Sequence, residues 1–269
     1  CAAAVLAVNL GLRLLPGMDS DPGRVLRWLA AAAVALVAYR QLFRRYERRP
    51  VRELAASRAV PEVGLGLATG TGAVAVLVGA LAIAGAYHPS SLGPIWTVPF
   101  AAAFFAATAT LEEVLFRGIL YRILQERFGT LIALALTGVG FGAAHLGNDG
   151  AGVPGVLSAI LGGVLLGLLF TLTGRLWLPI GLHVGWNWAQ ATLGLPVSGL
   201  DDLPPFVQAR VEGSELLTGG SFGPEASLPA LLLLLGLCSA AGMLAARRGR
   251  LVTMRDRRAA GTEQSWTAP

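Results

Sequence analysis

The run TLEEVLFRGIL, Thr110–Leu120, sets two adjacent glutamates and an arginine inside a segment that otherwise reads as a membrane span. What surrounds it decides the fold class. The 269 residues are 54% hydrophobic and 14% charged, with a mean hydropathy of +0.63. The charges crowd into a few short segments instead of lying along every helix, as a soluble domain would require. A bilayer core about 30 Å thick takes about 20 apolar residues in a helix. Eight stretches approach that length, at 1–16, 25–43, 63–87, 95–124, 130–146, 153–173, 176–195 and 227–246. The expected fold is therefore all-α: a polytopic membrane bundle of about eight transmembrane helices enclosing a polar cavity.

Charge sets the orientation. The segment RQLFRRYERRPVRELAASR, 40–58, carries seven arginines against two glutamates, and RRGRLVTMRDRR follows the last span. Arginine-rich flanks of this kind stay on the cytoplasmic side. Six spans separate the two segments, an even number, so both fall on one side without adjustment. Loop 40–58, the amino terminus and the carboxy-terminal tail are expected in the cytoplasm, with the protein in the plasma membrane. The opposite face receives PGMDSDPG, YHPSSLGP, GNDGAG and the long loop 195–227, all rich in turn residues and poor in basic ones. The expected organisation is an N-terminal helical unit 1–94, a helix bundle 95–248 and a polar, unpatterned tail 249–269.

All 21 basic residues are arginine, and the net charge is +5. Because these arginines lie beside apolar spans, they point to membrane lipids as partners and not to nucleic acid. Two cysteines, Cys1 and Cys238, cannot build a disulfide framework or a thiolate metal site.

Few ionisable groups remain at depth: Glu112, Glu113, Arg117, His145 and His183, with Asn187 as a neutral companion. Each is a site candidate, because a charge in hydrocarbon must be paired or face water. Residues four apart share a helix face. Glu113 and Arg117 are thus expected to form an ion pair, while Glu112, about 100° around the helix, points elsewhere. The spacing in FGAAH puts Phe141 and His145 on one face, and HVGWN does the same for His183 and Asn187. A glutamate and two histidines from three spans can share one water-filled interior. A carboxylate so placed can exchange protons with water. One difficulty stands: counted from the start of each span, His145 and His183 lie about 10 Å apart in depth. Either the span of His145 begins lower, or the stretch around Pro179 is not yet helix.

In order, E-E-x-x-x-R (Glu112, Glu113, Arg117), F-x-x-x-H (Phe141, His145) and H-x-x-x-N (His183, Asn187) make the chain resemble the CPBP family of intramembrane glutamic endopeptidases. That family includes the CAAX prenyl endopeptidases and the bacterial Abi and bacteriocin-immunity proteins. The resemblance covers Phe100 to about Gln190. It implies hydrolysis of a peptide bond in a membrane-associated substrate, a lipid-anchored protein of CAAX type or a leader peptide, without metal or other cofactor. By this likeness Glu112 is the general base, His145 positions the water, and His183 with Asn187 stabilises the oxyanion. Glu113, Arg117 and Phe141 support them. Two other readings stay open: a zinc hydrolase built on the same carboxylate and imidazoles, although H-E-x-x-H is absent, and a membrane scaffold or immunity protein whose polar cluster only glues helices together. A transporter would need repeats that the sequence lacks.

Overall fold

The structure is a computed structural model and describes residues 20–253. The expected span 1–16 and most of the expected tail lie outside the described residues. Within them the chain is helical, as the hydropathy pattern requires. The first helix, α1 (Asp21–Tyr46), opens on the Ser20 side chain, which accepts from the Gly23 amide, with Pro22 in the first turn. Its buried residues recur every four positions, from Arg27 through Ala31, Ala35 and Tyr39 to Phe43, so one narrow stripe packs and the rest faces outward. The basic loop forms two short 3₁₀ turns, Arg52–Leu54 and Ala56–Arg58, before α2 (Ala59–Ile83).

The helix that carries the opening motif is continuous from Thr97 to Phe128 but changes pitch along its length. It is α-helical as α3 (Thr97–Glu113), π-helical over Val114–Tyr121, and α-helical again as α4 (Arg122–Phe128). Then follow α5 (Thr130–Ala144), α6 (Val153–Thr173), α7 (Trp177–Thr192), the short α8 (Glu215–Thr218) and α9 (Leu228–Arg247). Among the described residues, five helices are long and apolar enough to cross a membrane: α1, α2 with the turn before it, the continuous α3–α4, α6 and α9. The expectation of full-length spans at 130–146 and 176–195 differs from what is found. The helix α5 has 15 residues and α7 has 16, short of the about 20 a crossing takes. Most of α7 is buried inside the bundle, so its length answers to its neighbours and not to lipid.

Helix α7 packs most extensively on α2, and small residues make this possible. Gly66 and Gly70 of α2 face Gly181 and Gly185 of α7, and a Cβ on Gly66 would meet the Leu178 carbonyl oxygen at 2.5 Å. Such four-residue glycine spacing brings backbones together where lipid supplies no hydrophobic drive. The other main pairings are α5 with α6, α6 with α9, α1 with α3, and α3 with α7.

The two ends of the bundle are distinct. At one end Arg122 binds Glu47, the Leu176 amide donates to the Glu53 carbonyl, Arg175 pairs with Glu62, and the Thr130 amide donates to the Val252 carbonyl. Loop 40–58 and the segment after α9 therefore share one face, as the even count of spans requires. At the other end, strands β1 (Tyr87–Leu92) and β2 (Val207–Val211) pair antiparallel, Tyr87 opposite Val211, with an irregularity between Pro89 and Ser91. This small sheet joins two loops that the sequence left as unstructured turns. His88 sits on it, exposed.

These anchors remove the depth difficulty. Glu53 lies level with both Arg122, at 3.7 Å, and Leu176. The chain continues down α4 from Arg122 to Phe128 before α5 starts, which puts the start of α5 about 10 Å below the start of α7. Helix α7 is regular from Trp177 through Pro179. It is the span of His145 that begins lower.

Candidate active site

Glu112 and Glu113 sit halfway along the α3–α4 helix and part company there. Phe104, Thr108 and Glu112, spaced by four, face a cavity of about 190 Å³. The Glu112 side chain is 36% exposed, whereas Glu113, one residue on, is fully buried. The cavity is also lined by Phe141 of α5 and His145, which caps that helix, Ser158 and Leu165 of α6, and His183, Trp186 and Asn187 of α7. The three candidate motifs thus meet around one space.

Glu113 Oε1 accepts from Arg117 Nη1 at 2.7 Å, the expected ion pair, and also from His183 Nδ1 at 3.0 Å. The second contact was not foreseen. A carboxylate only accepts, so His183 carries its proton on Nδ1 and turns Nε2 toward the cavity, 3.8 Å from Glu112 Oε2. His145 is oriented by the same device: Nδ1 lies 2.8 Å from the Phe141 carbonyl oxygen, which also only accepts, leaving Nε2 for the cavity. Both rings are pinned through Nδ1 and present Nε2.

Phe141 is the packing hub between them. Its ring lies 4.7 Å from that of His145 and 6.0 Å from that of His183, centroid to centroid, and the Arg117 guanidinium stands 4.9 Å over its face. Arg117 completes its partners with the Gly163 carbonyl of α6, at 2.9 Å. Asn187 lines the cavity half-buried, and its side chain makes no hydrogen bond to another described residue. Among the described residues, no three of His, Cys, Asp and Glu come together closely enough to hold a metal ion.

The π-helical turn begins immediately after Glu113. Widening the helix releases carbonyls from their usual partners. The Gly118 carbonyl accepts from the Tyr39 hydroxyl at 3.0 Å and from Arg122 Nε at 3.2 Å. Position 118 must be small, since a Cβ there would come within 2.9 Å of the Tyr39 ring. Arg122, one turn further on, is buried and joined to Glu47 and Glu126.

Sequence reasoning missed Glu225. It belongs to the loop 195–227, which closes the far end of the cavity with Val197, Ser198 and Leu200. Glu225 Oε2 accepts from Trp186 Nε1 at 2.9 Å and Gln190 Nε2 at 3.2 Å, and Oε1 accepts from Ser198 Oγ at 2.5 Å. The Ser198 carbonyl in turn accepts from Asn148 Nδ2 at 2.7 Å, which ties the cap to the turn just beyond His145.

Residues 94–189 match the family described as type II CAAX prenyl endopeptidase Rce1-like. This segment is Rce1-like. The finding agrees with the resemblance carried by the three motifs, and the family is one of proteases of the CAAX type. No curated protein and no solved structure matches the chain. With its long apolar helices, the chain that carries this Rce1-like segment is a multi-pass membrane protein. The matched range holds every cavity residue from Phe104 to Asn187, while Val197, Ser198, Leu200, Glu225 and Leu234 lie beyond it. The Rce1-like segment supplies the polar centre, and the rest of the chain supplies its cap.

Proposed function

We propose that this protein is an intramembrane endopeptidase in which Glu112 activates a water molecule without a metal. The observation that carries the reading is the division of labour between adjacent glutamates: Glu113 is consumed by Arg117 and His183, while Glu112 faces the cavity 3.8 Å from His183 Nε2, with His145 on the same lining. Glu112 takes a proton from water as its oxygen attacks the scissile carbonyl carbon. The free Nε2 of His145 accepts a hydrogen bond from the same water and holds it in place. The carbonyl oxygen becomes an oxyanion that accepts from Asn187 Nδ2 and from Nε2–H of His183. Protonated His183 brings the group formed with Glu112, Glu113 and Arg117 to zero net charge, which suits a dry site. When the carbon–nitrogen bond breaks, Glu112 returns its proton to the leaving amine. Each preorganised donor contributes about 3–4 kcal/mol to such a step.

The substrate is a membrane-associated polypeptide, either a lipid-anchored carboxy-terminal segment of CAAX type or a leader peptide. The basic face with loop 40–58 lies in the cytoplasm of a cell whose plasma membrane holds the protein. Mapping protein termini in cells that carry the intact chain against E112Q tests this. Termini generated only by the intact chain are expected. Identical termini, with the cellular phenotype kept in both E112Q and H145A, would favour the scaffold reading. Cleavage that stops on chelation and returns with zinc would favour a metal hydrolase.

A further inference from the structure

Away from the cavity, the basic end of the bundle holds a half-enclosed recess of about 600 Å³ between the end of α1 and the 3₁₀ turns that follow. Arg40, Arg44 and Arg48 stand along one side at four-residue spacing, Arg49 closes the bottom, and Val51, Leu54, Ala55 and Ala56 form an apolar wall. The arginines at this end divide into two groups. Arg49 is held by Glu47 and Glu53, Arg122 by Glu47 and Glu126, and Arg175 by Glu62. The side chains of Arg40, Arg44 and Arg48 make no ion pair or hydrogen bond to the described residues. The acids nearest to them, Glu47 and Glu53, are already engaged. Arg48 also takes a left-handed backbone, φ 50°, which keeps it in line with Arg40 and Arg44 after the helix has ended.

Three like charges gathered on one recess repel one another, and a bound anion relieves that repulsion. Guanidinium groups match phosphate oxygens in pairs. We propose that this recess binds a phosphate group at the membrane edge, held by Arg40, Arg44 and Arg48. The apolar wall suits the glycerol and first methylenes of an anionic phospholipid, and free inorganic phosphate offers the same head chemistry. The site is separate from the peptidase cavity and does not depend on the proposed function.

Purified full-length protein in detergent is mixed with fluorescent phosphatidylglycerol, and bound lipid is measured for wild type, R40Q/R44Q/R48Q and R45Q/R58Q/R248Q. The second triple removes the same charge from exposed arginines that do not line the recess. The recess triple is expected to bind on the order of a hundredfold more weakly, and the control triple to change by less than about threefold. The single variant R44E, on an exposed helical face, gives the same direction of loss with one substitution. Equal losses in both triples, or none in either, would overturn the proposal. Millimolar inorganic phosphate separates the sources. Lipid that stays bound in its presence identifies the headgroup as occupant, and displacement identifies free phosphate in the same recess.

Discussion

Substituting Glu113 by glutamine removes one charge from a pair in which Arg117 is 1% and Glu113 0% exposed. Arg117 would keep the Gly163 carbonyl and a neutral amide oxygen but no counterion, and His183 would lose the anion that holds its Nδ1 proton. Breaking a buried pair from one side costs about 3–5 kcal/mol, because the remaining charge stays uncompensated. At about 2–4 °C per kcal/mol for a chain of this size, the melting temperature should fall by roughly 6–20 °C. The neighbouring change E112Q touches a side chain that is 36% exposed and lies 3.8 Å from its nearest ionic partner. Its effect on stability should stay within about 1 kcal/mol, while proteolysis is lost. The double variant E113Q/R117M removes both charges and should recover most of the lost stability, since no guanidinium then stays buried without its counterion and the introduced amide carbonyl can still accept from His183 Nδ1. Thermal unfolding followed by tryptophan fluorescence in detergent reads all three. An E113Q protein that melts with wild type, an E112Q protein that melts as low as E113Q, or a double variant no better than the single would each refute the division of roles.

Three further outcomes are expected. In G185A the new Cβ would sit 2.5 Å from the Leu67 carbonyl oxygen, so α7 must move by about 1 Å from α2; because His183 rides on α7, turnover should drop about 10²-fold, with a stability loss of about 1–3 kcal/mol, read by rate and melting together. E225A leaves Trp186, Gln190 and Ser198 without their shared acceptor; limited proteolysis should cut loop 195–227 faster, and an unchanged rate would mean that Glu225 does not fasten the cap. Burial pushes the Glu47 carboxyl up, but hydrogen bonds and charge from Arg49 and Arg122 outweigh it and hold the group below its ordinary range. That stabilisation is complete above the ordinary glutamate value of about 4.3 and is lost as pH falls through the lower folded value; the acid limb of the melting curve should flatten in E47Q.

The helices were legible because hydrocarbon imposes a length and a composition that a sequence cannot disguise. The run 153–173 coincides with α6, since Gly152 and Pro154 start it and Gly174, at φ 66°, stops it. The lengths of α5 and α7 were not legible in the same way. A buried helix inside a bundle is as apolar as one that crosses, so hydropathy alone assigns it a full span. Strand β1 escaped notice because YHPSSL has neither alternation nor β-branched residues, and its pairing with β2 joins segments more than a hundred positions apart.

The site was legible where chemistry forced a charge into grease and hidden where it did not. Glu112, Glu113, Arg117, His145 and His183 stand out against apolar neighbours, and four-residue spacing links all but Glu112 to a companion on its own helix. Helical periodicity stops at the single helix, however. It yields Glu113 with Arg117 and is silent on Glu113 with His183, a contact across 70 positions that depends on how closely the glycines of α7 and α2 let α7 approach α3. Glu225 is harder still, because a glutamate in a loop of glycine, proline and serine has the composition of a solvated turn. Only the fold shows that its carboxylate collects donors from Trp186, Gln190 and Ser198 at the edge of the same cavity. The consequence for mechanism is that the polar centre and its cover are coupled. Ser198 bonds both Glu225 and Asn148, and Asn148 follows His145 by one turn whose amide donates back to the His145 carbonyl. On the proposed mechanism, a movement of loop 195–227 that admits a polypeptide would pull on the turn that follows His145, so opening the cap and aligning that imidazole would be one motion and not two.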